Sequence, residues 1–190
     1  MHRSTALLAL LALAALVAAG CATTVPNRDP VGEVLPTFAG TALDGTPRTF
    51  PRDLGGKPTV LIVAFTQRGQ FDVDRWLLGL VQLETPVQLF EVPTVEGAIP
   101  GLFADTIDEG MRGGIPSEDW GGVVTVYDEA ETLVNFLGNA KDDNGRVLLL
   151  DASGKVVWFH DRGYSAARVK ALDTAVRAAD APKPAEAAPE

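Results

Sequence analysis

The residues best placed for chemistry follow the most apolar stretch of the chain. Residues 57–66 contain an unbroken run rich in β-branched side chains, which predicts a strand buried on both faces. Residues 67–76 follow it and predict a turn into a helix. In an α/β fold, loop side chains and a helix N-terminus meet at the carboxyl end of such a strand. We therefore expect the functional site at this turn.

The side chains around this turn favour recognition over reaction. Gln70 and its neighbours are not nucleophiles at neutral pH, and the turn has no cysteine. We expect Asp72 and Asp74 in the first helical turn, where the helix dipole favours carboxylates. The candidate partner-binding face comprises Gln67, Arg68, Gln70, Asp72, Asp74, Arg112 and Asn144.

The roles of two arginines and of three tryptophans are less specific. Arg68 and Arg112 suit contact with a protein or an anionic group, and Arg68 equally suits an ion pair with Asp72. Trp120 suits either the same recognition face or a cap on the core, with the cap slightly favoured. The other two tryptophans lie inside periodic elements and are expected in the core: Trp76 and Trp158.

Other chemistries have little support in the sequence. His160, beside Asp161, is the histidine that remains if the N-terminal segment is removed, and it leaves a cysteine-independent hydrolase open as an alternative. No Gly-x-Ser-x-Gly elbow is present. Residues 142–145, Asp-Asp-Asn-Gly, lack the spaced ligands of a calcium loop and predict a solvated turn. We expect neither a metal nor a cofactor.

The N-terminus has the pattern of an export signal. A short basic start precedes a run of 14 Ala, Leu and Val residues at positions 6–19. This run is shorter than the roughly 20 residues that span a bilayer. Residues 18–21, Ala-Ala-Gly-Cys, resemble a bacterial lipobox, although Leu is more usual than Ala at the first position. The resemblance implies cleavage before Cys21 and acylation of its sulfur and amine, which would anchor the protein to a membrane.

Composition narrows the partners and the compartment. The chain has 190 residues, a formal net charge of −9 and one cysteine, Cys21. This acidity disfavours nucleic acid as a partner. A lipidated Cys21 would leave no thiol for a disulfide or for catalysis. We expect a membrane partner through the lipid and a protein partner through the folded domain. The expected location is the bacterial cell envelope, on the outer membrane facing the periplasm if the cell has two membranes.

Periodicity and turn signals divide the chain into four parts. They predict a signal at residues 1–20, a lipidated tether at 21–30, one domain at 31–179 and a disordered tail at 180–190. Within the domain, Asp44-Gly45 predicts a hairpin. The later predicted strands are 59–66, 87–92, 122–127, 146–150 and 156–160, and the predicted helices are 71–83, one within 98–115, 129–137 and 164–179.

This order of elements and several motifs resemble the thioredoxin-like fold. The segments 31–38, 44–45 and 56–65 are similar to the opening of peroxiredoxin-like and thiol-oxidoreductase proteins, and 148–157 is similar to their closing hairpin. The resemblance implies an α/β sandwich with a central mixed sheet flanked by helices and an N-terminal hairpin. It places Gln70 and Val73 approximately at the redox-cysteine positions and Gly145 near the usual cis-proline, so thiol-disulfide or peroxidase activity is not expected.

A narrower resemblance concerns the mitochondrial ATP synthase assembly factors, which are thioredoxin-like and lack the redox pair. The similar residues are Arg75-Trp76, Phe90-Glu-Val-Pro93, Gly110-Met-Arg-Gly-Gly-Ile115 and the segment ending at Trp158. That family acts on the matrix side, whereas an exported lipoprotein lies on the opposite side of its membrane. The resemblance therefore implies a redox-inactive binding or assembly module with a different client. A structural envelope lipoprotein without a discrete site is a further alternative.

Overall fold

The computed structural model describes residues 24–97 and 103–180. The strands of this part are β1 (Phe38–Ala42), β2 (Pro47–Phe50), β3 (Thr59–Ala64), β4 (Gln88–Pro93), β5 (Val124–Thr125), β6 (Arg146–Leu150) and β7 (Val156–His160). Its α-helices are α1 (Gln67–Gln82), α2 (Ala104–Arg112), α3 (Ala130–Leu137) and α4 (Ala166–Asp180), and 3-10 turns occupy Arg52–Leu54 and Ser117–Gly122. The predicted signal, Cys21 and the tail from residue 181 lie outside the described residues.

The main sheet has four strands in the order β4-β3-β6-β7. β4 runs parallel to β3, while β6 and β7 are antiparallel to their neighbours, so the sheet is mixed as predicted. All six residues of β3 are buried. This burial follows from the β-branched run, which covers both faces of a central strand with apolar side chains.

The N-terminal hairpin forms a second, smaller sheet. β1 pairs with β2 and with β5 in antiparallel registers. The turn contains Gly45 at φ 87°, a backbone conformation that glycine adopts readily, and the Asp44 carboxylate accepts the Thr46 N–H at 2.8 Å. Of the predicted strand 122–127, Val124–Thr125 forms the strand itself, and isolated parallel bridges join Val123 and Val126 to the edge of β4.

Two apolar layers cover the faces of the main sheet. One layer contains β1, β2, α3 and the rings of Phe38, Phe50 and Phe90, and the other packs α1 and α4 on β3 and β6. Trp76 is fully buried in the second layer, and Trp158 packs edge-on against it at 6.1 Å between ring centroids. The prediction that Trp76 belongs to the core is confirmed, and Trp158 is partly buried against it.

Helix α1 begins four residues earlier than predicted. Thr66 caps it by accepting the Gly69 N–H at 3.2 Å, so the first turn starts at Gln67 rather than Phe71. Asp72 and Asp74 consequently lie in the second turn, and the prediction that they occupy the helix N-terminus is wrong. The dipole argument made for them therefore does not apply, because the effect fades within the first turn.

The described part of the predicted tether is packed against the domain. The Arg28 N–H binds the Leu137 carbonyl at 3.3 Å, and the Val25 carbonyl accepts the N–H groups of Asn139 and Ala140 at 3.1 Å. The predicted tether at residues 21–30 is therefore not free along its whole length, because Val25 and Arg28 are hydrogen-bonded to the domain.

The fully buried Arg146 side chain fixes this segment. Its guanidinium donates to the carbonyls of Ala140 at 2.8 Å and Asn144 at 2.7 Å and to the Asn27 side chain at 3.1 Å. Burial lowers the pKa of Arg146 below its ordinary value. One side chain thus joins the N-terminal segment, the 140–144 loop and β6.

Candidate protein-binding groove

A nearly buried carboxylate lies at the centre of the candidate site. Glu91, on β4 beside Ile62 of β3, is 5% exposed and accepts a hydrogen bond from the Gln70 side-chain amide of α1. Burial raises the pKa of Glu91 to about 6; the Gln70 hydrogen bond acts against this rise, and the Asp74 charge adds to it. At neutral pH the site therefore holds an ionised carboxylate in apolar surroundings.

Glu91 lies in a groove of about 650 Å³, here called the acidic groove. One wall is a stripe of α1 side chains at helical spacing: Gln70, Asp74, Leu77 and Val81. The opposite wall comes from the end of α2 and the segment that follows it, including Met111, Ile115 and Asp119. The charged residues among its lining are Asp74, Glu91 and Asp119. The groove is thus apolar in its walls and anionic in its charge.

A second groove of about 550 Å³ continues the acidic groove past the N-terminus of α1. The two grooves share Gln70, Gly110 and Met111, and the second also contains Gln67 and Phe65. Of the sequence-predicted face, Gln67, Gln70 and Asp74 therefore lie along one continuous depression. These three are the predicted residues that the fold brings together.

Exposed apolar side chains extend from the acidic groove over the outer surface of α1. Phe71 is 66% exposed, Leu78 57% and Val81 70%. Phe71 and Leu78 are seven residues apart, so they lie on one side of the helix. These side chains leave apolar surface exposed on the outer side of α1.

Arg68 lies at the N-terminal end of α1 and is exposed. Its Nε forms an ion pair with Asp143 at 2.9 Å, so the alternative pairing with Asp72 is wrong. Both partners are largely exposed, and such a pair contributes little to stability. Arg68 therefore remains accessible at the edge of the depression.

Asp72 does not belong to the accessible face, and its prediction as a partner-binding residue is wrong. It is buried, and its two carboxylate oxygens accept the backbone N–H groups of Gly145 at 3.1 Å and Tyr164 at 2.7 Å. Helical periodicity explains this, because Asp72 lies four residues before the buried Trp76 and therefore shares the face of α1 that packs on the sheet. Asp72 is a structural residue.

Arg112 also has a structural role instead of a place on the predicted face. Its Nε donates to the Leu43 carbonyl at 2.7 Å, and its guanidinium lies 5.9 Å from the centroid of the Trp120 ring. The Trp120 indole N–H in turn binds the Ile115 carbonyl at 2.9 Å. These contacts pin the end of α2 to the hairpin turn and support the interpretation of Trp120 as a cap.

Asn144 lies in a different depression, near His160. Its side-chain amide donates to the Asp161 carbonyl at 3.3 Å. The His160 Nε2 lies 3.0 Å from the Gly163 carbonyl, and burial lowers the pKa of His160. The Asp161 carboxylate accepts the Asn27 amide, so the adjacent acid and histidine are bound to other groups. This geometry gives the hydrolase alternative no acid–histidine pair to start from.

The described residues contain no cluster of three or more His, Cys, Asp or Glu suited to a metal ion. Within residues 24–97 and 103–180, no helix is long and apolar enough to cross a membrane.

Sequence reasoning missed Glu91 and Arg146, two ionisable residues that are 5% and 0% exposed. Each belongs to a strand that is otherwise largely apolar, Glu91 within Gln88–Pro93 and Arg146 as the first residue of Arg146–Leu150. A charged residue inside a run that predicts a buried strand was the available signal, because burial of a charge is costly unless a partner or a function retains it.

The fold defined by this sheet, its flanking helices and its N-terminal hairpin is thioredoxin-like. Solved structures similar to the chain include a protein of Bacteroides thetaiotaomicron assigned as a protein disulfide isomerase, with a TM-score of 0.57, 15% identity, and coverage of 83% of this chain and 94% of that one. A SCO1/SenC family lipoprotein from Bacillus anthracis gives a TM-score of 0.53 at 18% identity, covering 81% of this chain and 99% of that one.

A third similar structure is the thioredoxin domain of a thiol-disulfide oxidoreductase from Bacteroides vulgatus, with a TM-score of 0.52, 16% identity, and coverage of 78% and 99% of the two chains. No protein-family model matches the sequence, and no curated protein matches it significantly. At these identities the likeness establishes the fold alone.

Proposed function

We propose that the protein is a membrane-anchored, redox-inactive thioredoxin-like lipoprotein that binds a protein partner in the acidic groove and acts as an assembly or chaperone-like module. The observation that carries this proposal is Glu91, an ionised carboxylate held by Gln70 at the base of an apolar groove. Cys21, the cysteine of this sequence, lies far from that groove along the chain. The described residues that line the groove include no cysteine.

The lining of the groove specifies the partner's chemistry. Leu77, Val81 and Met111 suit apolar side chains. Glu91 and Asp74 suit a lysine or arginine carried by the same segment, because the groove lining contains no cation of its own. The expected partner contributes an apolar segment with one or two basic residues.

The envelope location is part of the proposal. The lipobox-like sequence at 18–21 supports an anchor at Cys21. The SCO1/SenC family structure is itself that of a lipoprotein with the same fold, which shows that the scaffold occurs in lipidated form. The residue after Cys21 is alanine rather than aspartate, which supports placement on the outer membrane if the cell has two membranes.

Site-specific photo-crosslinking in the intact cell tests the groove. A photoreactive residue at Val81, on the groove wall, is expected to capture one dominant envelope protein, and its crosslinked peptide should be apolar with a Lys or Arg. The matched control is Val157, which is exposed on β7 and should not yield this adduct. Equal capture of the same protein from both positions contradicts the proposal.

Glu91→Gln sharpens this experiment. This substitution replaces the carboxylate with an uncharged amide of the same shape. It should reduce the yield of the Val81 adduct by about tenfold or more, as expected for loss of a desolvated ion pair. The same substitution is expected to stabilise the fold at neutral pH, so a weaker adduct would not reflect unfolding. A separate assay of insulin-disulfide reduction by the Cys21→Ser protein should show no activity, and activity that survives this change contradicts redox inactivity.

A further inference from the structure

The depression that contains Asn144 and His160, here called the basic groove, lies on the opposite side of the 141–144 loop from α1. It encloses about 960 Å³. The N-terminal segment, the 140–144 loop and the end of β7 with the following turn form its walls. Thr66 and Arg68 contact the loop from the α1 side, through the Asp142 carbonyl and the Asp143 carboxylate. The loop therefore separates the basic groove from the acidic groove.

The charge of this groove is opposite to that of the whole chain. Four side chains in its lining are permanently cationic at neutral pH: Arg28, Lys141, Arg162 and Arg168. Two are anionic, Asp29 and Asp161, and Arg28 forms an ion pair with Glu33 outside the lining. In a chain of net charge −9, this is a local concentration of positive charge.

The acids of the basic groove are bound internally. The Asp161 carboxylate accepts the Asn27 amide at 2.9 Å, and the Asp29 carboxylate accepts the Val31 N–H at 3.0 Å. Arg162 and Arg168 are exposed, and neither forms an ion pair with a carboxylate in the described ranges. Their guanidinium groups are available to an external anion.

The walls of the groove are held in place before any ligand arrives. Arg146 donates to Asn27 on one wall and to Ala140 and Asn144 on another. The Asn144 amide then reaches the Asp161 carbonyl on the third wall. Because these contacts fix all three walls, binding would cost little ordering of the backbone.

We propose that the basic groove binds a phosphate-bearing anion through Arg162 and Arg168. Guanidinium groups bind phosphate oxygens in bidentate geometry, which favours phosphate over a simple monovalent anion. A phospholipid headgroup and free phosphate share this chemistry. Pro26 on the groove wall is five residues from Cys21, a distance of at most about 17 Å along an extended chain. A lipid at Cys21 would therefore hold the groove near headgroups.

The test uses the full chain carrying Cys21→Ser, in its native charge form and as two variants. Arg162→Glu with Arg168→Glu reverses the charge of the basic groove. Lys57→Glu with Arg75→Glu reverses the same amount of charge at exposed positions elsewhere. Thermal melts check that all three forms are folded. The probes are inorganic phosphate, vesicles of phosphatidylcholine alone, and vesicles that also contain phosphatidylglycerol, each measured at low and physiological salt.

We expect the protein to bind phosphatidylglycerol vesicles about tenfold more tightly than phosphatidylcholine vesicles, and the groove variant alone to lose this preference. Millimolar binding of inorganic phosphate that the groove variant loses would support the same site with free phosphate as its source. The proposal is overturned if no anionic probe binds better than its neutral control, or if both variants lose binding equally. The readout does not depend on the acidic groove, so it separates this proposal from the proposed function.

Discussion

The Asp72 carboxylate accepts the Gly145 N–H at 3.1 Å and so joins α1 to the residue that precedes β6. Its other oxygen accepts the Tyr164 N–H ahead of α4. Replacing Asp72 with alanine would leave two buried N–H groups unpaired, and we expect the free energy of unfolding to fall by about 3 kcal/mol. Urea denaturation followed by tryptophan fluorescence measures this change.

Asp74→Ala is the matched control for Asp72. It removes the same side chain two residues along the same helix, at an exposed position, and should change the free energy of unfolding by less than about 1 kcal/mol. Equal losses in the two variants would contradict the structural role of Asp72.

Glu91 should make the protein less stable as pH rises. Its pKa is about 6 in the folded protein against 4.5 ordinarily, so the folded state holds the proton more tightly than the unfolded state. This contribution falls between about pH 4.5 and 6, and above pH 6 the cost is about 2 kcal/mol. Glu91→Gln should therefore raise the free energy of unfolding at pH 7.5 by up to about 2 kcal/mol and leave it unchanged at pH 4.

Denaturation of both proteins from pH 4 to 7.5 checks this expectation. A glutamine variant that is less stable than the native protein throughout that range would show that the Glu91 charge stabilises the fold. The proposal that Glu91 serves binding at a cost to the stability of the fold would then fail.

Arg146 should keep the segments that it joins in a fixed conformation. Arg146→Met fills similar space and loses the hydrogen bonds to the 140–144 loop and to Asn27, and we expect a loss of about 3 kcal/mol. Amide hydrogen exchange of Asn139 and Ala140, which bind the Val25 carbonyl, should accelerate more than exchange in β3. Uniform acceleration across both regions would contradict a local role.

Substitution of alanine at two helical glycines should change the stability of the protein in opposite directions. A Cβ at Gly110 of α2 would meet no atom within 4 Å, so Gly110→Ala should stabilise the protein by up to about 1 kcal/mol through helix propensity. A Cβ at Gly79 of α1 would lie 3.0 Å from the buried Val169 and 3.1 Å from Tyr164. Gly79→Ala should therefore destabilise the packing of α1 on α4. Thermal melts of the two variants decide the sign of each effect.

The sheet was accessible to sequence reasoning because its signals are local. The β-branched run predicts β3, and Asp44-Gly45 predicts the hairpin that the structure contains. The start of α1 was missed because Thr66 continues the apolar strand in sequence, while its capping bond to Gly69 is visible only in three dimensions. The Gln70–Glu91 contact joins residues 21 positions apart, and no periodicity within one element predicts it.

The candidate face was predicted less completely, for the same reason. Which of several neighbouring carboxylates faces solvent depends on helix phase, and Asp72 lies four residues before Trp76, on the buried face of α1. Arg112 was assigned to recognition because its partners, the Leu43 carbonyl and the Trp120 ring, lie in distant or irregular segments.

The clamp that Arg146 forms with Asn27 has a mechanical meaning for a chain held at Cys21, as proposed. Tension on the N-terminal segment would be transmitted through Arg146 to β6, which pairs with a strand on each side, and not to an edge strand of the main sheet. Such a protein would hold its grooves close to the membrane and within a limited range of orientations. Lengthening the chain between Cys21 and Val25 would remove this limit.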